Sequence, residues 1–343
     1  MDGTILLILI QDGVVNGAIY ALLALSLVLV FTVTRVVFIP QGELVAFSAL
    51  TYAALDTATL PPSLWLLLVL GGFSALRGLW DGRREAGGRL RLLAETLGPP
   101  AVMVPLVLWL APLRLGVAVS ALLSLGIVTP MAPALHRIAF APLASASVLT
   151  LLIAAVGVHF AMLGLGLVFF GPEGVRATGF SDAQFHLGPL TIPGQAIWIL
   201  AVTLVLMAAL AVFFGATLMG KALRATAVNA LGARLVGIPA AGAGRLAFTL
   251  AGFIGALSGV LIAPLTTVYY DTGFLIGLKG FVAAIVGGLV AYPAAVIAAI
   301  AVGLVESFAS FWASSFKEVI VFTAILPVLL IRSLASPANE DEE

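Results

Sequence analysis

The chain has 343 residues, 62% of them hydrophobic and only 9% charged, with a mean hydropathy of +1.20. Soluble domains carry roughly 25% charged residues, so a water-soluble surface is excluded and the bilayer is the solvent for most of the chain. Formal net charge is zero, and the placement of charge therefore says more than its sum. The absence of Cys excludes disulfides, thiolate chemistry and Cys metal sites. His136, His159 and His186 lie far apart without ligand spacing. The N-terminus lacks a basic n-region and a cleavage site, so it reads as part of the first span and not as a removable signal peptide.

A membrane span needs roughly 20 apolar residues. Residues 14–33 qualify, with Asn16 and Gly17 at their start. A short turn at 36–40 precedes an apolar run at 43–58. The run at 64–79 is shorter and leads into a loop with Arg77, Arg83, Arg84, Arg89 and Arg91. A short run at 101–112 and a longer one at 115–135 follow, then a polar break at 136–142. Residues 148–170 are a clear span, and 171–193 are mixed and Gly-rich. The runs at 196–217 and 246–264 flank a polar segment. Residues 266–280 read as a polar, aromatic loop whose one cation is Lys279. Two apolar pieces, 281–290 and 294–308, are parted by Tyr292-Pro293, and 319–331 is the last run. The pattern predicts an all-α polytopic membrane bundle of about 9–11 segments, some short or broken. Residues 1–335 form one transmembrane domain, and the acidic tail 336–343 reads as disordered. Continuous apolar runs without alternation exclude a β-barrel.

Short loops rich in Lys and Arg stay on the cytoplasmic side. That places 77–91 and 221–245 inside, and alternation then puts Arg35, Arg137 and the C-terminus inside too. The N-terminus, Pro61 and 171–193 fall outside. Many of the 36 glycines sit inside spans, among them Gly157, Gly164, Gly252, Gly255 and Gly303. Small residues let helix backbones approach closely in lipid. Around 285–293, where Gly287 and Gly288 precede Tyr292-Pro293, the sequence predicts a broken helix.

Residues 221–245 stand out. They carry Lys221, Arg224, Arg234 and Arg245 and no acid. Leu223, Ala227, Leu231 and Leu235 fall four apart, an apolar stripe at helical spacing. Gly232, Gly237 and Pro239 break any long helix. Two readings fit: a solvated connector, or a short cationic helix that another protein grips.

No catalytic or metal-binding pattern is present. The segment from Gly215 to Ala222 approaches a phosphate-binding loop but ends in Ala where Ser or Thr is needed for Mg²⁺, and no strand precedes it. Ionisable groups within apolar segments are the remaining signal, because they are costly in hydrocarbon. Glu43, after Pro40-Gln41-Gly42, suits a helix start, where a carboxylate gains from the free amides. Glu306 lies near the end of an apolar run, placed to snorkel or bond locally. His159 reads as a packed core residue.

Several segments together resemble the Liv-type branched-chain amino acid ABC permeases. Residues 16–25, NGAIYALLAL, resemble the first span of that family. Phe38-Ile-Pro-Gln41-Gly42-Glu43 is similar to its N-F-A-[HQ]-G-E segment, with Phe38 and Pro40 as departures. Arg224-Ala-Thr-Ala-Val-Asn229 and Ala233-Arg234-Leu235-Val-Gly237-Ile238 resemble its cytoplasmic loop R-A-x-A-x-[DN]-x-x-x-A-x-x-x-G-I. Residues 278–288 and Gly303-Leu-Val-Glu306 resemble its C-terminal pair of spans. The resemblance covers 10–58 and about 120–332, and 64–112 looks like an inserted apolar hairpin.

The resemblance implies the membrane subunit of a binding-protein-dependent importer in a prokaryotic cytoplasmic membrane. Its implied partners are ABC ATPase subunits, a second homologous permease and an extracytoplasmic solute-binding protein, with no nucleic acid. This chain would bind no cofactor; ATP and Mg would be used by the ATPases. Residues 221–245 become the coupling loop, with Leu223, Arg224, Ala227, Asn229, Leu231, Ala233, Arg234, Leu235, Gly237 and Ile238 at the contact. Asn16, Gln41, Gly42, Glu43, Lys279, Gly287, Gly288 and Glu306 become candidates for the pathway. The implied solute is a branched-chain or other neutral amino acid. Related permeases for urea, short amides or another small polar solute are the nearest alternative. A stand-alone secondary transporter or channel, or a purely structural membrane subunit, is of a different class.

Overall fold

The computed structural model describes residues 3–80, 86–113, 115–188, 190–289 and 291–335. Arg83, Arg84 and the acidic tail fall outside these. Among the described residues, eight helices are long and apolar enough to cross a membrane.

The first, α1 (Gly3–Thr34), is apolar on every face, and such a helix belongs inside a bundle. From Gly13 to Val30 almost every residue is buried. It starts well before residue 14, so Asn16 sits mid-helix and does not open the span. Around it lie α11 (Ala240–Ile262), α12 (Thr272–Val286) and α13 (Tyr292–Trp312), with α13 its largest neighbour, and α2 (Gln41–Asp56) packs in turn on α11 and α12. Gly13 and Gly17, four apart on α1, face Gly303, Ile300 and Leu304 of α13, and a Cβ on Gly17 or Gly303 would overlap the opposing backbone. This is the small-residue seam that holds helices together where hydrophobic burial cannot. Gly42 of α2 meets Gly273 and Gly277 of α12 in the same way. Gly157 and Gly164, by contrast, face open space and are not packing glycines.

The stretch at 64–112 forms a helical hairpin, α3 (Ser63–Trp80) and α4 (Ala86–Leu110). The second arm is much longer than its apolar run, so Arg89 and Arg91 lie within a helix and not in a loop. The hairpin packs on α5 (Val117–Val128) and α6 (Met131–Leu135). The polar break at 136–142 is no break in path: a π-helical turn (His136–Phe140) and a 3-10 turn (Ala141–Leu143) continue the same span.

Helix α7 (Val148–Phe170) starts on Ser147, whose hydroxyl accepts from the Thr150 amide at 3.2 Å. The mixed segment after it contains a hairpin of β1 (Gln184–Leu187) and β2 (Leu190–Pro193), with Gln184 opposite Pro193. Helix α8 (Gly194–Ala216) leads to two short helices, α9 (Leu218–Val228) and α10 (Ala230–Leu235), and then to α11. The end of α12 is a Schellman turn: the Gly288 amide donates to Ile285 O and the Leu289 amide to Ala284 O, both at 2.8 Å. Gly288 has φ +91, a conformation suited to glycine, and this is the break expected at 285–293. Helix α13 starts at Tyr292-Pro293, with Pro in the first turn where its missing amide is harmless. The last run is divided at Ala324 into α14 (Lys317–Thr323) and α15 (Ile325–Ala335).

Gly303→Leu should force α13 away from α1 and lower stability by about 1–3 kcal/mol, the cost of overpacking. Gly164→Leu, into open space, should not. Thermal unfolding of both variants in the same detergent checks the contrast.

Candidate functional site

Two buried polar groupings occupy the bundle. The first is built at the start of α2. Phe38 is fully buried, edge-on to Phe140 and Phe248 with ring centroids at 5.9 and 4.8 Å. Pro40 follows and ends the preceding turn, so α2 begins at Gln41. Gln41 donates through Nε2 to the Ala251 carbonyl of α11 at 2.9 Å. Glu43 does not cap its helix. Its Oε1 lies 2.7 Å from Nδ1 of His159 on α7, and both side chains are almost completely buried. Glu43 Oε2 and Gln41 Oε1 are sealed from solvent and have no partner among the described residues. His159 also packs on the rings of Phe160 and Phe274, at 5.0 and 4.6 Å. Beside it lies a cavity of about 280 Å³ between α1, α7 and α12, with Phe38, Val156, Phe160, Phe274 and Phe281 in its apolar wall.

The second grouping corrects the placement of Lys279 and Glu306. Lys279 is not a loop cation. It sits within α12, 5% exposed, and donates to Glu306 Oε1 at 2.5 Å and Glu318 Oε1 at 3.1 Å. Glu306 is not at an interface. It is buried in α13, and its other oxygen accepts from the Tyr20 hydroxyl of α1. One cation thus ties two carboxylates, and four helices meet at the set. Asn16 lies one turn before Tyr20, half-buried. Gly287 and Gly288 belong to the turn after α12 and line neither grouping.

The segment 221–245 is built differently. Thr217 caps α9 by accepting from the Gly220 amide at 3.0 Å, and Asn229 caps α10 by accepting from the Gly232 amide at 2.8 Å. The break therefore falls at Asn229, and Gly232 lies inside α10. A second Schellman turn closes α10: the Gly237 amide donates to Arg234 O at 3.0 Å and the Ile238 amide to Ala233 O at 2.9 Å, with φ +86 at Gly237. The break splits the apolar stripe. Leu223, expected to face outward with the rest, is buried in the chain's own packing with Leu29, Ala243 and Ala247. Ala233 is buried as well, and Ala227 and Ile238 are half-buried. Leu231 and Leu235 remain exposed, joined by Leu218, Val228 and Val236, with Arg224 and Arg234 beside them. From Gly215 to Ala222 the backbone is the end of one helix and the start of another, not a strand and loop.

A third polar centre was not visible in the sequence. Glu95 of α4 accepts from Arg91 at 3.1 Å, from Arg137 at 3.3 Å and from Arg245. It joins the hairpin to the π-helical turn and to the helix that follows α10. His159, Tyr20 and Glu318 also went unnoticed as partners. The only signal for them was an ionisable group within an apolar helix, which asks for a partner but does not name it.

These features define a polytopic membrane protein with a rigid, glycine-seamed core, internally paired charges and an apolar, cationic helix pair left open between two spans. The model of the family described as branched-chain amino acid transport system / permease component matches residues 9–332, and the chain belongs to that family. The high-affinity branched-chain amino acid transport system permease protein LivH of Escherichia coli K12 is 30% identical over 206 residues, 57% of this chain and 66% of that protein. LivH of Salmonella typhimurium matches to the same extent. The corresponding permease protein BraD of Pseudomonas aeruginosa is 24% identical over 272 residues, 77% of this chain and 89% of its own length. The chain thus spans just under two thirds of the LivH proteins. No solved structure matches it.

Removing one partner of a buried ion pair costs about 3–5 kcal/mol, because the other charge is left uncompensated. Lys279→Ala should therefore destabilise the protein strongly, and Lys279→Met combined with Glu306→Leu should recover much of the loss. Melting temperatures in detergent for the single and double variants check this; single variants as stable as the parent would show that the pair is solvated.

Proposed function

We propose that this chain is the membrane-spanning permease subunit of a binding-protein-dependent ABC importer and that it translocates branched-chain or other neutral amino acids. Separate ATPase subunits supply the driving force. The observation that carries the reading is the α9–α10 surface. It is short, lies between two spans, and exposes Leu231, which is 68% accessible, and Leu235, which is 81% accessible, beside Arg224 and Arg234. A hydrophobic surface rimmed by cations suits a groove on a partner protein. Next to it, a groove of about 400 Å³ between α9 and α11 has Met219, Ile238 and Pro239 in its wall. The names of the LivH and BraD relatives support the solute class.

The same reading places α9–α10 in the cytoplasm, from the Lys and Arg of 221–245, with the N-terminus outside and the C-terminus inside. It assigns no ATPase site to the chain. Ala222 lacks the hydroxyl that Mg²⁺ needs, and Lys221 serves as an inside anchor. ATP and Mg belong to the ATPases. A second permease completes the pathway, and a solute-binding protein delivers solute from outside. Coupling then works through packing: ATPase closure moves α9–α10, and Leu223 and Ala233, buried in the chain's own core, pass the motion to α1 and α11. The alternative of an ion-coupled carrier draws on the two buried ionisable groupings, since such carriers place ionisable groups within spans.

Two outcomes are expected. A single Cys at position 230 should be labelled by impermeant reagent only after the cells are opened; labelling from outside intact cells contradicts the topology. Leu231→Asp should insert and fold normally but lose ATPase co-purification, because it puts an unpaired carboxylate into the contact. Leucine, isoleucine or valine transport at the parent rate with the ATPase still bound would mean that α9–α10 is only a connector.

A further inference from the structure

Three features of the bundle meet at one place, the cavity of about 280 Å³ between α1, α7 and α12. The first is irregular backbone at membrane depth. Residues 35–40 are not helical, and they lead to Glu43, which lies against His159 near the middle of the spanning helix α7. Phe38 and Ile39 of that segment stand in the cavity wall. Non-helical backbone within a membrane is tolerated where protein buries it or where it lines a cavity. The second is a short helix. With 15 residues, α12 falls below the roughly 20 that a span needs, and its Phe274, Gly277 and Phe281 form part of the same wall. Solute sites of transporters lie near the bilayer midplane, where helices are short or interrupted.

The third feature is the chemistry of the wall. Its residues are apolar except for His159. Nδ1 of that ring is engaged by Glu43 at 2.7 Å. Nε2 has no hydrogen bond among the described residues and, unlike Glu43 Oε2, is not sealed from solvent. With a carboxylate at Nδ1 the ring keeps its proton there, and Nε2 is left as an acceptor. Phe160 and Phe274 pack beside the imidazole at 5.0 and 4.6 Å. An acceptor backed by a carboxylate and flanked by aromatic rings suits an ammonium group. At roughly 30 Å³ for each water-sized group, the cavity holds about nine non-hydrogen atoms, as many as leucine has.

We propose that this cavity is where the chain holds the transported amino acid, with the ammonium on His159 Nε2 and the branched side chain among Phe38, Val156, Phe274 and Phe281. The inference rests on the importer reading above and adds to it a site within this chain. The wall runs from the fully buried Phe38 to the exposed Phe160 and Phe274, so the cavity opens at the bundle surface, where solute enters and leaves. Glu43 acts through His159: it fixes the ring and its tautomer and does not touch the solute.

The test uses the assembled system in proteoliposomes, with the parent chain assayed first for ATP-driven leucine uptake. The chain has no native Cys, so Val156→Cys places a single thiol in the wall. Gly157→Cys, which faces open space, is the control on the neighbouring residue. A small methanethiosulfonate reagent should abolish uptake by the Val156→Cys system and leave the Gly157→Cys system active. Leucine on both sides should slow the modification of Val156→Cys by about tenfold or more, and glycine far less, because only leucine fills the apolar wall. Adding His159→Gln should raise the leucine needed for that protection by about tenfold. Leu278→Cys, in the same wall on α12, is read in the same way if Val156→Cys itself does not transport. No leucine uptake by the parent system would overturn the importer reading, and this site with it. Normal parent uptake with a wall thiol that is not modified, is modified without effect on uptake, or is modified equally fast with and without leucine would overturn the site and leave the importer reading standing. So would protection by glycine equal to that by leucine, protection unchanged by His159→Gln, or protection by a short-chain lipid in place of leucine.

Discussion

A charge inside an apolar bundle has to bring its partner with it, and here that rule fixes the centre of the fold. Lys279 on α12, Glu306 on α13 and Tyr20 on α1 form one buried set, extended to Glu318 on α14. In lipid, helix packing gains little from burying hydrocarbon, so close backbone contact and polar bonds must hold the helices. Both are present in the same place. The seam of Gly13, Gly17 and Gly303 lets α1 and α13 touch, which brings Tyr20 within reach of Glu306. The contact of Gly42 with Gly273 and Gly277 seats α12 against α2. The Glu43–His159 pair adds α7 to the assembly, and Ser48 on α2 donates to the Ala256 carbonyl of α11 at 2.7 Å.

The outer helices are bound by weaker rules. The α9–α10 pair leans on the core through Leu223, Ala243 and Ala247 but leaves most of its apolar surface uncovered. On the proposed reading this division suits a transport subunit. A core in which Lys279 is tied to Glu306 and Glu318, and Glu43 to His159, moves as a unit, and a small helix pair seated on it through the buried Leu223 can receive a push and pass it on. The two Schellman turns, at Gly237 and Gly288, give sharp, defined ends to the helices that would have to move against each other.

Much of this could be read from the residues. Apolar runs located most of the long helices, and Gly287-Gly288 before Tyr292-Pro293 announced the break after α12, because glycine and proline act on the local backbone whatever surrounds it. Helix extent was legible only where a run was uniformly apolar. Thr272, Gly273 and Gly277 made the start of α12 look like a loop, and Lys279 was assigned to it. Those glycines are instead sites of backbone contact, and the lysine is buried with its acids. In the same way Arg89 and Arg91 suggested a loop where α4 already runs. Pairings across the chain, Glu43 with His159 or Glu95 with Arg245, were beyond reach, since spacing along one helix carries no information about the register of another. The split of the 223–235 stripe at Asn229 was hidden for a smaller reason: an Asn cap resets the helix phase, and periodicity assumes an unbroken one.

The most direct test of the account is solute uptake by the assembled system. Proteoliposomes would contain this chain, a second permease of the family and the ATPase subunits, with the solute-binding protein and radiolabelled leucine supplied outside. The account predicts leucine accumulation that requires ATP and every component and that isoleucine and valine compete away. Uptake by this chain alone without ATP, or uptake that only urea or short amides inhibit, would contradict it.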